Sequence, residues 1–131
     1  MKPLAYVIAA WTVLLLAAGS VEASAHIEAG VKFLTAWGKG NWEQLAAVAA
    51  EKVTVSVGGK ESVIDVTGKR AEAMLVFPFK GLSTVRVEGK VKGLTVDEIT
   101  VKVGSEEKRG KGTLTFEEKD GKVVVTKVSV E

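Results

Sequence analysis

The sequence predicts an α+β fold in which a curved antiparallel sheet wraps around helices near the amino terminus, like a cone with an apolar interior. Up to Glu51, apolar residues recur at the three- and four-residue spacing of helices, and beyond Glu51 most segments alternate apolar and polar residues as strands do. The later strands follow one another through short turns, and strands joined by hairpins are antiparallel. This order excludes a doubly wound α/β fold, which needs crossover connections between parallel strands.

The segment before this fold has the features of a secretory signal peptide. Lys2 precedes a long apolar run that ends in Ala23-Ser24-Ala25, which fits the A-x-A cleavage pattern. We therefore expect residues 1–25 to be removed and residues 26–131 to form one exported domain, periplasmic or extracellular. The alternative is an uncleaved anchor, which would be the chain's only contact with a membrane, because roughly 18–20 apolar residues can just cross a bilayer.

The composition excludes several kinds of site. The chain has no cysteine, so an exported domain would be held together by packing and not by disulfides. With 18 basic and 16 acidic residues the formal net charge is +2, which does not indicate a nucleic-acid-binding surface. The only histidine, His26, would become the new amino terminus, at a frayed helix start. An amino-terminal histidine can chelate copper, but a copper site needs a further histidine, so no metal and no cofactor are expected.

Two helices are predicted on either side of a tight break. The first runs from His26 to Gly38 and ends at Gly38 and Gly40, because glycine readily adopts the left-handed conformation that closes helices. Asn41 is expected to cap the second helix, with Gln44 in the position of a capping box. The apolar residues of the first helix are Ile27, Gly30, Val31, Phe33, Leu34 and Trp37, and those of the second include Trp42 and Leu45.

The rest of the domain is predicted to be mostly strands. A first pair at 53–57 and 62–66 turns at Gly58-Gly59, and a short third helix at 69–77 ends near Pro78. Further strands are predicted within 83–92, 96–104, 110–118 and 123–130, with a bulge or turn at Asp97-Glu98, a solvated loop at 105–112 and a hairpin turn at 119–122. The helices are the only apolar cover for one face of this sheet.

Two stretches resemble the nuclear transport factor 2-like superfamily, also described as SnoaL-like or ketosteroid isomerase-like. FLTAWGKGNWEQLAAVAAEKVTVSV (33–57) is similar to its opening helix, glycine break, second helix and first strand. GTLTFEEKDGKVVVTKVSV (112–130) is similar to its last hairpin, although Val123 or Val124 stands where a tryptophan is often found. The resemblance implies a cone whose mouth can hold a small apolar molecule. The superfamily includes ketosteroid isomerase, scytalone dehydratase and polyketide cyclases, and also binding and dimerisation domains.

Asp65 is the one candidate catalytic residue. The resemblance implies that enzymes of this group use Asp, Tyr or His inside the cone, and residues 26–131 contain no tyrosine. If Val63 faces the cone, Asp65 points the same way and is a buried carboxylate. The alternative is an outward acid that pairs with Lys69 or Arg70.

The two tryptophans of the helical break either fill the wide end of the cone or line a ligand pocket. The predicted pocket residues are Phe33, Trp37, Trp42, Met74, Phe77 and Phe79. The predicted function is therefore an exported, non-catalytic domain that binds a small apolar ligand or a protein partner, and the alternative is a small isomerase or lyase with Asp65 as general base. A homodimer is expected through the polar sheet face, which carries Arg86, Lys90, Lys92, Thr100 and Lys102.

Overall fold

Two helices precede a seven-stranded sheet in the structure, a computed structural model that describes residues 20–131, with side chains from Ala23 onward. Residues 1–19, most of the predicted signal peptide, lie outside the described residues. None of the described helices has the length and apolar character needed to span a membrane. The elements are α1 (Ser20–Lys39), α2 (Trp42–Val48), β1 (Ala49–Val57), β2 (Lys60–Asp65), β3 (Arg70–Ala71), β4 (Ala73–Val87), β5 (Lys90–Val103), β6 (Glu106–Lys119) and β7 (Lys122–Val130).

The sheet is curved, unclosed and mixed, with the strand order β3-β2-β1-β7-β6-β5-β4. Every neighbouring pair is antiparallel except β1 and β7, which run parallel with Val55 beside Val128. The predicted sheet was antiparallel throughout. Hairpin links fix the relative direction only of strands that are consecutive in sequence, and β1 and β7 are not consecutive.

The concave face of the sheet packs on α1 and α2 and forms the core. Alternate residues of the central strands are buried, because successive strand side chains point to opposite faces. At Gly30 the helix approaches the sheet so closely that a Cβ atom would overlap the side chain of Leu94. The largest fully buried side chains are Trp37, Phe33, Leu34, Leu45, Ile64, Leu94, Ile99 and Leu114.

The predicted break between the helices is confirmed. Gly40 has a φ of 70°, and Asn41 Oδ1 accepts a hydrogen bond from the backbone N–H of Gln44 at 3.2 Å, as an N-cap does. The first helix begins earlier than predicted, at Ser20, so it continues through Ala25.

The predicted third helix at 69–77 is wrong, because this segment forms β3 and the start of β4. Ala73 and Leu75 are buried while Met74 between them is exposed, which is the two-residue period of a strand. Pairing with β5 selects this period over the helical one, with Ala73 beside Val103. Pro78 lies within β4, where the β4–β5 register shifts and the strand forms an edge of the sheet, a position that tolerates proline.

Most of the predicted turns are confirmed. A register shift between Val96 and Ile99 confirms the bulge, and Asp120 and Gly121 have φ values of 52° and 77°, as a tight hairpin needs. The β1–β2 hairpin turns at Gly58-Gly59 as predicted.

Two hairpins differ from the prediction. The segment predicted as a single strand at 83–92 contains the β4–β5 turn at Glu88-Gly89, and the predicted loop at 105–112 lies almost wholly in β6. The reason in the second case is that charged residues can occupy both faces of a strand at the open end of a sheet.

Candidate functional site

Two of the predicted pocket residues, Phe33 and Trp37, fill the interior between α1 and the sheet. Their side chains are 0% and 1% exposed, and their ring centroids lie 5.7 Å apart. Trp37 Nε1 donates a hydrogen bond of 2.8 Å to the carbonyl oxygen of Ala73, which ties α1 to the start of β4. By general experience with buried aromatic residues, removing the Trp37 ring would cost about 3–5 kcal/mol of stability. Both positions therefore have a clear packing role.

The other four predicted pocket residues lie nearer the surface. Met74 and Phe77 are 40% and 43% exposed, whereas Trp42 and Phe79 are half-buried against the edge of the core. The rings of Phe77 and Phe79 are 6.1 Å apart. The structure thus spreads the six residues from the buried core to half-buried and exposed positions on α2 and β4, and their contact with a ligand stays a prediction.

The structure places Asp65 on the outer face of the sheet. Ser62 and Ile64 are buried, whereas Val63 is 37% exposed and Asp65, on the same side as Val63, is half-buried beside the exposed Lys52. Asp65 Oδ1 accepts a hydrogen bond of 2.9 Å from the backbone N–H of Gly68 and so stabilises the turn after β2. Asp65 therefore does not point into the cone, as a buried general base would.

The only histidine, His26, lies inside α1, which begins at Ser20. His26 is 8% exposed, and its ring packs edge-on against Phe116 with the centroids 5.1 Å apart. The frayed helix start was predicted for a chain cleaved after Ala25 and stays a prediction; with residues 20–25 present, His26 reaches the concave face of β6. Within residues 20–131, no three histidine, aspartate or glutamate side chains are grouped as a metal site would need.

A cavity of about 680 Å³ opens between the tips of two hairpins. We call it the mouth cleft. Val57, Gly58 and Lys60 from the β1–β2 hairpin and residues 103–108 from the β5–β6 hairpin line it. Between them lies the end of β7, because β7 separates β1 from β6 in the sheet.

The strand register shows which side chains of the mouth cleft belong to the concave face. Residues paired across antiparallel strands share a face of the sheet. Lys108 pairs with Val101, which is fully buried in the core, so the Lys108 side chain leaves the same concave face. By the same rule Glu106, paired with Val103, and Lys60, paired with Val57, also lie on this face, since both valines pack against the core.

The two lysines have different surroundings. Lys60 Nζ lies 3.8 Å from Glu106 Oε1, an exposed ion pair that reaches over β1 and β7. Lys108 pairs with no carboxylate in the part of the chain that the structure describes. Its amine lies over the opposite hairpin, where a Cβ atom on Gly58 would be 3.3 Å from Nζ. The mouth cleft therefore combines half-buried valines with one paired and one unpaired ammonium group.

Sequence reasoning missed Lys108 because it predicted a loop at 105–112, and missed Lys60 because this residue lies between the predicted strands 53–57 and 62–66. The signal that could have found Lys108 is the alternation in β6. Counting back by twos from the buried Phe116 and Leu114 leads through Gly112 and Gly110 to Lys108. Lys108 is thus on the core face of any strand that extends this far.

Of the residues predicted for an interface, the register places Thr100 and Lys102 on the outer face, beside Val76 and the exposed Met74, whereas Arg86 lies beside the buried Val91. Arg86, Lys90, Lys92 and Lys102 are exposed and Thr100 is half-buried. Nearby, Glu98 forms ion pairs with Arg109 and with Lys80, the latter at 3.6 Å. The hydrogen bond from Arg109, aided by the positive charges of Arg109 and Lys80, lowers the pKa of the Glu98 carboxyl below its usual range.

No protein-family model matches the sequence, and no curated protein matches it either. Several solved structures are similar. One, a protein of the NTF2-like family from Streptomyces avermitilis with a proposed dehydratase activity, superposes with a TM-score of 0.58 at 12% identity, over 87% of this chain and 99% of that chain. An LEH-like epoxide hydrolase from M. tuberculosis gives 0.54 at 14% identity, over 84% and 81% of the chains.

A CaMKII hub from S. rosetta is also similar, with a TM-score of 0.54 at 12% identity over 83% of this chain and 95% of that chain. These similarities show that the chain has the NTF2-like fold, which confirms the fold that the sequence resemblance implied.

Proposed function

We propose that this chain is a small-molecule-binding domain and that the mouth cleft is its binding site. The observation that carries the proposal is the register that puts Lys60 and Lys108 on the concave face, beside the half-buried Val57 and Val103. Small-molecule pockets measure about 300–1,000 Å³ and combine an apolar lining with a few polar groups. The mouth cleft, at about 680 Å³, fits this description.

Binding without catalysis is the form of this function that the site residues support. Asp65 faces away from the cone and is engaged in a turn, and Glu106 in the mouth cleft is largely exposed and paired with Lys60. General-base catalysis instead uses a carboxylate or imidazole held within reach of its substrate in a tuned environment. The similar structures include an epoxide hydrolase and a hub, so the fold alone does not decide between these functions.

The site of action in this proposal is outside the cytoplasm. The apolar run and the Ala23-Ser24-Ala25 ending support export, with cleavage after Ala25. Such a cut would leave His26 and its contact with Phe116 in the exported domain. The chain mass of the exported protein, measured by mass spectrometry, would identify His26 as the first residue, and a retained Met1 would contradict cleavage.

Native mass spectrometry of the protein purified from its own host tests the binding function. We expect a retained small molecule, seen as added mass that disappears on denaturation. Val103→Trp should fill the mouth cleft and remove this mass, whereas Val87→Trp, at a position 51% exposed on β4, should keep it. Circular dichroism would show that both variants fold. Equal retention by both variants, or no retained molecule in the unsubstituted protein, would contradict the proposal.

Asp65→Asn serves as the test of the alternative isomerase or lyase. Because the carboxylate lies outside the cone, the substitution should leave the retained molecule in place. Loss of binding or of a measured isomerase activity in this variant would instead favour a catalytic role.

A further inference from the structure

The unpaired ammonium group of Lys108 indicates what kind of molecule the mouth cleft selects. We propose that it binds small organic monoanions, amphiphiles whose single carboxylate contacts Lys108 and whose short apolar part lies on Val57 and Val103. This inference depends on the proposed function, because it names the ligand class of the same site.

The charge balance of the concave face favours a single negative charge on the ligand. Three charged side chains of the cavity lining leave this face, namely Lys60, Glu106 and Lys108, whereas Glu131 lies beside Gly110 and outside the lining. Lys60 and Glu106 neutralise each other at 3.8 Å, which leaves the positive charge of Lys108. Glu107 also borders the mouth cleft. In the strand register, however, it lies opposite Lys102, so its side chain belongs to the outer face.

The position of Lys108 suits recognition of a carboxylate. Lys108 lies beside Val101 of the neighbouring strand. Because Val101 is fully buried, the core holds the backbone and Cβ atom of Lys108 in place. Its amine lies near the β1–β2 turn at Gly58, which brings the ammonium group over the cavity between the two hairpins. A lysine ammonium is a compact charge with three donors, and its hydrogen bonds to carboxylates are stronger than those between neutral groups.

The apolar part of the ligand must be short. Val57 and Val103 are the two apolar side chains of the lining, and both are continuous with the core. A chain of a few carbons or a single ring can cover two valines, whereas a long acyl chain would extend into solvent. A neutral molecule of the same size would gain the valine contacts and lose the contact with Lys108.

Isothermal titration calorimetry of the purified protein with three probes tests this inference. The probes are hexanoate, hexanol, which has the tail without the charge, and acetate, which has the charge without the tail. We expect hexanoate to bind about tenfold more tightly than hexanol, as one charge-assisted hydrogen bond allows, and about tenfold more tightly than acetate, because its tail covers the valines. Lys108→Gln should weaken hexanoate binding by about tenfold and leave hexanol binding unchanged.

Lys127→Gln is the matched control, because Lys127 is an exposed lysine on the outer face of the sheet. In the strand register it lies between Thr54 and Thr115. It should leave hexanoate binding unchanged. The inference is overturned if Lys127→Gln weakens hexanoate binding as much as Lys108→Gln does, or if none of the probes binds. It is also overturned if hexanol binds as tightly as hexanoate in both the parent and Lys108→Gln, but that result would leave the proposed binding function standing.

Discussion

Gly38 lies beneath the ring of Phe77, where the end of α1 meets β4. A methyl group at position 38 would overlap the Cε2 and Cζ atoms of that ring. In a helix, alanine is otherwise more favourable than glycine by about 0.8–1.0 kcal/mol. The contact with Phe77 thus explains why a residue inside α1 is glycine.

Gly38→Ala should destabilise the protein by about 1–2 kcal/mol, because the overlap forces the Phe77 ring or the backbone to move. In a Phe77→Ala background the same substitution should stabilise it by up to about 1 kcal/mol, since only the gain in helix propensity remains. Urea unfolding of the four proteins measures both effects. An equal effect of Gly38→Ala in both backgrounds would show that the ring does not impose the glycine.

Glu98 should contribute stability that depends on pH. Its pKa is lowered in the folded state by the hydrogen bond from Arg109 and by the charges of Arg109 and Lys80, relative to an ordinary value of 4.5. A carboxyl whose pKa is depressed by folding stabilises the protein above its unfolded pKa and loses this contribution as the pH falls through the folded value. Since the partners are exposed, the contribution is small.

We therefore expect Glu98→Gln to lower the urea midpoint at neutral pH, by an amount that shrinks as the pH falls below 4.5 and through the lowered pKa of Glu98 in the folded protein. Glu61→Gln is the control, because the exposed Glu61 has no cationic partner among residues 20–131. A midpoint difference for Glu98→Gln that stays constant across this pH range would contradict the assignment.

Among the elements, those with a strong local signal were predicted and those that depend on tertiary pairing were not. The glycine break and Asn41 cap are local, and so is the Asp120-Gly121 turn. The segment 69–77 fits both a helix and a strand by its apolar spacing, and only its pairing with β5 decides. The fold and a pocket at the mouth of the cone were predicted from the sequence. The strand register that brings Lys108 to the concave face was not.

The β4–β5 turn shows why one hairpin escaped prediction. Glu88 and Gly89 have φ values of 53° and 80°, so both central residues are left-handed. Asparagine and aspartate usually precede glycine in such turns, so a glutamate before glycine does not indicate a hairpin turn in the sequence. Outside glycine, the left-handed conformation costs roughly 1–2 kcal/mol, less for asparagine.

Glu88→Asn should therefore stabilise the protein by up to about 1 kcal/mol, as measured by thermal or urea unfolding. Glu118→Asn, at an exposed position of β6, is the matched control and should give no gain. A destabilising Glu88→Asn would mean that the glutamate side chain has a role that backbone conformation does not explain.

For the molecule as a whole, the NTF2-like fold leaves two surfaces for partners, the mouth cleft and the outer sheet face. The homodimer through the outer face, with Arg86, Lys90, Lys92, Thr100 and Lys102, stays a prediction. Sedimentation velocity of residues 26–131 checks it, with twice the chain mass expected. If the protein sediments as a dimer, Lys102→Glu should weaken the association, and a monomer at all concentrations would contradict the prediction.

An amide-resolved NMR titration with hexanoate tests the central claim, that the mouth cleft is the ligand site, most directly. We predict shifts confined to the two hairpins, at Val57, Gly58 and residues 103–108, and their loss in Lys108→Gln. Shifts centred instead on Phe33 and Trp37, or on the outer face of the sheet, would contradict the claim.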